Sequence, residues 1–472
     1  MGEKAAAPPK RNIYVLKKGL DPEEIAAVFA RASRSSKSFR EIIREVTPSK
    51  AAQLLESWVI RAKPPHKSLA DHAWANVAVE NISRLSIENL ESNRFGGYTE
   101  RSTRYQKFSR NGYHVPVEII GTELEPLYHA VMHHLFDTYW ICLGEKLPID
   151  VCRNLLPTGT VANVGVSANA TTLMHAVTKL LSSQRSEERQ IGKELQRTLM
   201  RRIPTLINSV SESEYLLEVQ RVRRELAQVL NAHSNDNQTV ARIVRWGPSE
   251  GENALLVGAA YRPSTNACYE DILQEVESLP PEKRGEFIFR LIGLDFPEGQ
   301  NNIRNSGEPI VRESELPWMY LELLTDQGAF FDLKRHRAGV TLIPQDLGTE
   351  LGYITPLAVV EAGLQNAYED AIEASQEAYQ TIESEFPGCG AYVLTQAQKR
   401  RYLMGVNLRS LYHVLFHRTD EFGHFGYNRA ARAVYEAAVE ADIFPFAMAA
   451  LGLILEGRPS VAELESKYFF QT

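Results

Sequence analysis

Ser167-Ala168-Asn169-Ala170-Thr171-Thr172-Leu173-Met174-His175 and Gly405-Val406-Asn407-Leu408-Arg409-Ser410-Leu411-Tyr412-His413 share one pattern. Each runs Asn, any residue, Arg or Thr, Ser or Thr, Leu, any residue, His, and each opens a helix. The two lie in halves of about 230 residues, a period that prompts a search for a repeat. The same order of elements precedes both. The reading is a diverged tandem duplication.

Outward from these stretches the pattern is mostly helical. Asp21-Pro22-Glu23-Glu24 is a helix start, with a capping Asp, Pro in the first turn and acids at the positive dipole end. Helical spacing follows over 49–62, 123–143, 168–182, 187–202 and 212–231, and then over 269–277, 357–385, 408–416 and 426–441. Strand-like runs cover 114–120, 240–246 and 318–323. The class is therefore α/β (α+β, helix-rich). The polar run His233-Ser234-Asn235-Asp236-Asn237-Gln238 interrupts the periodicity. It divides the chain into repeats over 12–232 and 240–472 with a linker over 233–239. The first eleven residues read as a tail.

Among 472 residues, 52 are basic and 59 acidic, for a net charge of -7; 44% are hydrophobic. Sizeable cores can form, and an acidic balance argues against nucleic acid or an anionic membrane surface as partner. No run approaches the roughly 20 apolar residues of a membrane span. The N-terminus lacks an apolar signal core, so a soluble, cytoplasmic protein is expected. The cysteines at 142, 152, 268 and 389 form no CxxC pair. No metal site is expected, because no His, Cys or Asp cluster has ligand spacing. Phosphate-loop, dinucleotide and nucleophile-elbow motifs are absent.

Three segments carry chemistry. In Tyr98-Thr99-Glu100-Arg101-Ser102-Thr103-Arg104-Tyr105, an extended chain would turn Glu100, Ser102 and Arg104 to one side. That line could hold a nucleotide phosphate and sugar, or be a solvated loop with local ion pairs. Lys334-Arg335-His336-Arg337 follows an apolar run. On a helix these residues would fan around a polyanion or a reduced flavin, or simply answer the dipole at a helix end. Arg409 and His413, four apart, share a helix face opposite Leu408, Leu411 and Leu415. That helix either lies between core and ligand or is an ordinary amphipathic one.

At these residues the sequence resembles the flavin-dependent thymidylate synthases. His66-Lys67-Ser68, Asp71-His72-Ala73, Asn81-Ile82-Ser83-Arg84, the Glu100–Tyr105 loop and Arg153 ahead of Leu155-Leu156-Pro157 resemble that family's motifs in the first half. Where the family has Arg-His-Arg, this half reads Ser92-Asn93-Arg94, and its Asn-x-Arg becomes Asn169-Ala170-Thr171. The second half departs in the opposite way. It keeps Arg335-His336-Arg337, Asn407, Arg409, His413 and Arg418, but has Gln345 and Leu347 where Ser and Arg would fall, and Ala391 in the place of Arg153.

The resemblance implies two diverged repeats of one fold. The first keeps the nucleotide grip (Glu100, Ser102, Arg104, Arg153). The second keeps the flavin residues (Arg335, His336, Arg337, Asn407, Arg409, His413), helped by His72 and Arg94. It further implies reductive methylation of dUMP to dTMP, with Arg418 polarising the uracil edge. FAD is the cofactor, and NADPH and methylenetetrahydrofolate are co-substrates. A homodimer would mimic the family's tetramer, with a nucleotide and a folate as small-molecule partners. The alternatives are C5-methylation of another pyrimidine nucleotide such as UMP, or a protein that holds nucleotide or flavin without turnover.

Overall fold

The computed structural model describes residues 11–16, 19–232, 234, 236–264, 266–299, 304, 308–420 and 422–470. Most of the expected tail, and His233 and Asn235 of the polar linker, lie outside the described residues. Helices surround two small antiparallel sheets, so the helix-rich α/β reading holds. The first sheet contains β1 (Trp74–Ser83), β2 (Gly96–Glu100) and β3 (Val161–Asn169), in the order β1-β3-β2. The second contains β4 (Ala241–Gly247), β5 (Trp318–Asp326), β6 (Val340–Pro344) and β7 (Lys399–Asn407), in the order β4-β5-β7-β6.

The registers repeat. Trp74 lies opposite Asn169, and Trp318 lies opposite Asn407. Each Asn ends its central strand and caps the next helix. Asn169 accepts from the Thr172 N–H at 2.9 Å, and Asn407 from the Ser410 N–H at 2.8 Å. A short polar side chain satisfies a donor that the first helical turn leaves free.

Asn169 and Asn407 are 238 positions apart, and so are Pro157 and Thr395, which bridge to each other antiparallel. A residue that pairs with its own equivalent lies on a two-fold axis. The flanking bonds agree. Thr158 N–H donates to Leu394 at 2.8 Å and Gln396 N–H to Leu156 at 3.1 Å; Gly159 N–H donates to Tyr392 at 2.8 Å and Ala397 N–H to Asn154 at 2.9 Å. The repeats are therefore joined face to face within one chain by reciprocal backbone bonds.

Packing follows the same plan. The Glu125–Gly144 helix buries one broad face, with Tyr128, Met132, Leu135, Phe136, Tyr139 and Cys142 on it. The Gln365–Glu385 helix of the second half packs against it, in one core shared with the first sheet and its helices. This core thus crosses from one half of the sequence to the other. A second core is built within the second half, around β5 and β7 and the Phe425–Glu440 helix.

Several elements differ from the sequence expectation. Residues 114–120 form no strand. Only Tyr113 bridges, to Thr160, because Pro116 lacks an N–H and the chain then turns through Gly121 at φ +79°. The helix over 357–385 breaks at Gly363, φ +71°, into Leu357–Glu361 and Gln365–Glu385. Over 49–62 the α-helix ends at Leu55 and continues as a wider turn, Glu56–Arg61. Strands β1, β2, β3, β6 and β7 were not foreseen. β3 alternates only small side chains, and β7 begins Lys-Arg-Arg, of which Arg400 and Arg401 are buried because Glu88 and Glu322 pair with them.

Candidate functional site

Arg335-His336-Arg337 is not on a helix. The Gln327–Leu333 helix ends just before it, and the three residues turn into β6. Gly339 at φ +66° makes that turn possible; a Cβ there would come to 3.0 Å from Asn407 Nδ2 and overlap Ser410. The turn therefore rests on the start of the Leu408–Arg418 helix.

On one side of the turn is a cavity of about 730 Å³. Arg335, His336, Arg337, Arg409, His413 and His417 line it, with Arg94 of the first repeat at its edge. Arg409 is held by Glu315 at 2.7 Å and the Ile310 carbonyl at 2.9 Å. Arg337 stands over the Tyr98 ring at 4.7 Å and donates to the Gly96 carbonyl at 3.1 Å. Its buried Nε has no hydrogen-bond partner among the described residues. Arg418 Nε donates to His336 Nε2 at 2.7 Å. Burial, then the Arg418 charge, push the His336 pKa down to about 2, so its ring is a neutral donor-acceptor.

On the other side lies a cluster drawn from both repeats. Arg104 forks onto Asp150 at 3.0 and 3.1 Å and donates to Tyr427 Oη and the Phe422 carbonyl, each at 3.1 Å. Arg153, 1% exposed, pairs at 3.0 Å with Asp332, which also accepts from Arg335. His424 is buried; its Nδ1 accepts from the Gly426 N–H at 3.1 Å, and its Nε2 faces the Asp150 carbonyl at 3.2 Å. Arg418 stands over the Tyr427 ring at 5.0 Å.

The expected residues are thus divided. Arg94, Arg335, His336, Arg337, Arg409 and His413 meet at the cavity. Arg104 and Arg153 reach the back of the same turn, beside Arg418. Glu100 does not point with Ser102 and Arg104. β2 ends at Glu100, Ser102 Oγ accepts from the Arg104 N–H at 3.2 Å, and the chain folds into a turn. Glu100 pairs instead with buried Arg84 at 2.9 Å. Asn407 spends its oxygen as a cap. His72 packs with a tilted ring against Phe29, centroids 4.7 Å apart, and is not among the cavity's lining residues. Asp150, Asp332, His424 and Tyr427 were missed. A carboxylate that neutralises an arginine from the other repeat leaves no local pattern to read.

The two-fold axis exposes the sister position. Because Gly96 lies opposite Ala168 and Val340 opposite Val406, Val340 is the equivalent of Gly96. Ser102 and Arg104 then correspond to Asp346 and Gly348, one residue beyond the Gln345 and Leu347 counted from sequence, because β6 follows a turn longer by one residue. Neither can hold an anion. A second cavity of about 750 Å³ lies here. Four of the charges that line it are consumed in pairs: Glu88 with Arg400 at 2.9 Å, and Glu91 with Lys334 at 2.7 Å. Asn93 is buried, donating to the Leu90 carbonyl at 2.8 Å.

The fold and site define a duplicated, helix-rich α/β protein whose cation-rich turn is approached by side chains of both repeats. The chain belongs to the thymidylate synthase complementing protein family, whose pattern matches residues 15–205 and 324–445, as a tandem duplication requires. Membership suggests activity of the flavin-dependent thymidylate synthase type. A UPF0159 protein of Chlamydia pneumoniae is 24% identical over 413 residues, covering 79% of this chain and 76% of its own. The flavin-dependent thymidylate synthase of Geobacter sulfurreducens is 26% identical over 166 residues, 34% of this chain and 70% of its own. Among solved structures, the Helicobacter pylori flavin-dependent thymidylate synthase complexed with FAD and dUMP superposes with a TM-score of 0.32 at 18% identity, covering 40% of this chain and 96% of that one. Among the described residues no helix is long and apolar enough to cross a membrane, and no group of three or more His, Cys, Asp or Glu could hold a metal ion.

Proposed function

We propose that the chain catalyses FAD-dependent reductive methylation of dUMP to dTMP, with methylenetetrahydrofolate as carbon donor and NADPH as reductant. The observation that carries this reading is complementarity. The intact Arg335-His336-Arg337 turn lies in one repeat, and Arg104 and Arg153 approach it from the other.

The cavity residues fit FAD. They offer several cations, a neutral imidazole and an unused buried Arg337 Nε, which suit a pyrophosphate and a polar ring edge. When bound, FAD supplies the redox chemistry. The chain's own work is positioning and electrostatics. Arg409 and Arg337 are fixed by Glu315 and the Gly96 carbonyl, and so present preset donors. Arg104, oriented by Asp150, and Arg153 are assigned to the substrate phosphate, with Ser102. Arg418, aligned by His336 and Tyr427, is assigned to the uracil carbonyl edge. No thiol is required, and Cys142, Cys152 and Cys389 are buried.

The division into repeats over 12–232 and 240–472 belongs to this reading. So does a homodimer with one flavin and one nucleotide per chain. The test is tritium release from 5-labelled dUMP with FAD, NADPH and methylenetetrahydrofolate. Release requiring all components is expected. A folded, FAD-loaded protein that releases none overturns the reading, and two tightly bound flavins per chain overturn the division of labour.

A further inference from the structure

Asp332 has no charged equivalent; across the two-fold axis its place is taken by Asn89. It is 6% exposed and sits between guanidinium groups of both repeats. Oδ2 accepts from Arg153 at 3.0 Å, and Oδ1 accepts from Arg335. Burial opposes its ionisation, yet Arg153 and then Arg335 outweigh burial and hold its pKa below the ordinary carboxylate range. Arg153 is itself buried, and its Nε has no hydrogen-bond partner among the described residues. An anion bridging two arginines through two oxygens is the arrangement that a phosphate monoester makes in such a grip. A dianion brought to Arg153 would meet like charge in a poorly solvated place unless Asp332 moved aside. The Arg335 side chain is 47% exposed, so this side of the bridge can open to solvent.

We propose that Asp332 is a resident anion that occupies the place of the substrate's phosphate on Arg153 and Arg335, and that a nucleotide enters by displacing it. This rests on the functional reading above and adds to it a residue that sets the affinity for the substrate's phosphate. A phosphate dianion offers more charge and more acceptor oxygens than a carboxylate, so it can replace both bonds. A nucleoside cannot, and leaves Asp332 in place. The bridge therefore lowers affinity for phosphate ligands and leaves a nucleoside's affinity nearly unchanged.

Asp332→Asn keeps the size and removes the charge. Calorimetry on the full chain with FAD present would compare dUMP, deoxyuridine and inorganic phosphate. The variant is expected to bind dUMP and phosphate about tenfold or more tightly than the native protein, with deoxyuridine shifted less than about twofold. Unchanged or weaker phosphate binding, or an equal gain for deoxyuridine, overturns the proposal. Tighter inorganic phosphate with no dUMP binding in either protein keeps the resident anion and removes the dUMP reading. If Asp332→Asn does not fold, Asp332→Gln takes its place. If neither folds, Asp332 is a structural counter-ion and the proposal fails.

Discussion

The Ser92-Asn93-Arg94 and Arg335-His336-Arg337 turns occupy equivalent places and do different work. Each follows a short helix and leads into the edge strand of its sheet. Their last arginines still reach across the axis in matching fashion: Arg94 donates to Thr341 Oγ1 at 2.7 Å, and Arg337 to the Gly96 carbonyl at 3.1 Å. The other two positions have parted. Ser92 and Asn93 bond back to their own helix carbonyls, at 2.8 Å each. Arg335 and His336 engage Asp332 and Arg418. The difference teaches that duplication preserved the backbone contacts that join the repeats and left the side chains of the turn free to diverge without losing the fold.

The comparison can be broken most directly at the cations. Arg335→Ala should raise the FAD dissociation constant by about ten- to a hundredfold, the range for a lost charge-assisted hydrogen bond, and Arg94→Ala by less than about tenfold. Absorbance during FAD titration of both variants measures this. Equal losses would mean that the turns are not functionally distinct.

The nucleotide side of the comparison rests on the first repeat. Arg104→Ala should weaken dUMP binding by about tenfold or more, and Ser102→Ala by a few-fold, since a neutral hydroxyl contributes about 0.5–1.5 kcal/mol. FAD affinity should stay as it was. Calorimetry with each ligand reads both, and dUMP affinity untouched by Arg104→Ala would remove this loop from the site.

Grafting sharpens the contrast. The double change Ser92→Arg, Asn93→His restores the motif in the first repeat but should not create a second flavin site. Asn93 is 5% exposed, and a larger ring there overpacks the core, costing about 1–3 kcal/mol. Flavin stoichiometry and a denaturant midpoint would report the two effects. A second flavin per chain would show that the motif alone suffices.

The smallest effect is a pH slope. Burial and then Arg418 lower the pKa of His336, and burial and then Arg153 lower that of His424. With folded pKa values below the unfolded one of about 6.5, the unfolded chain binds more protons as pH falls, so stability drops in that direction. His424→Gln should flatten the fall between pH 7.5 and 5.5 by about 1 kcal/mol. Urea midpoints at the two pH values test this, and an unchanged slope would mean that His424 is not held neutral.

Much of this protein was legible in its sequence. The Asn-led helix starts revealed the duplication, because capping is a local requirement met by a residue three positions from the N–H that it satisfies. The departures in each half carry the proposed division between nucleotide and flavin, because losing an arginine removes a charge that no neighbour along the chain restores. The sheets were less visible. Their small or cationic strand residues become buried only through partners far along the chain, such as Glu88 for Arg400. The two-fold axis, the longer turn that shifts β6 by one residue, and the Asp332 bridge between repeats were decided by tertiary structure alone. Each depends on residues far apart along the chain meeting in space, and no local spacing encodes such a meeting.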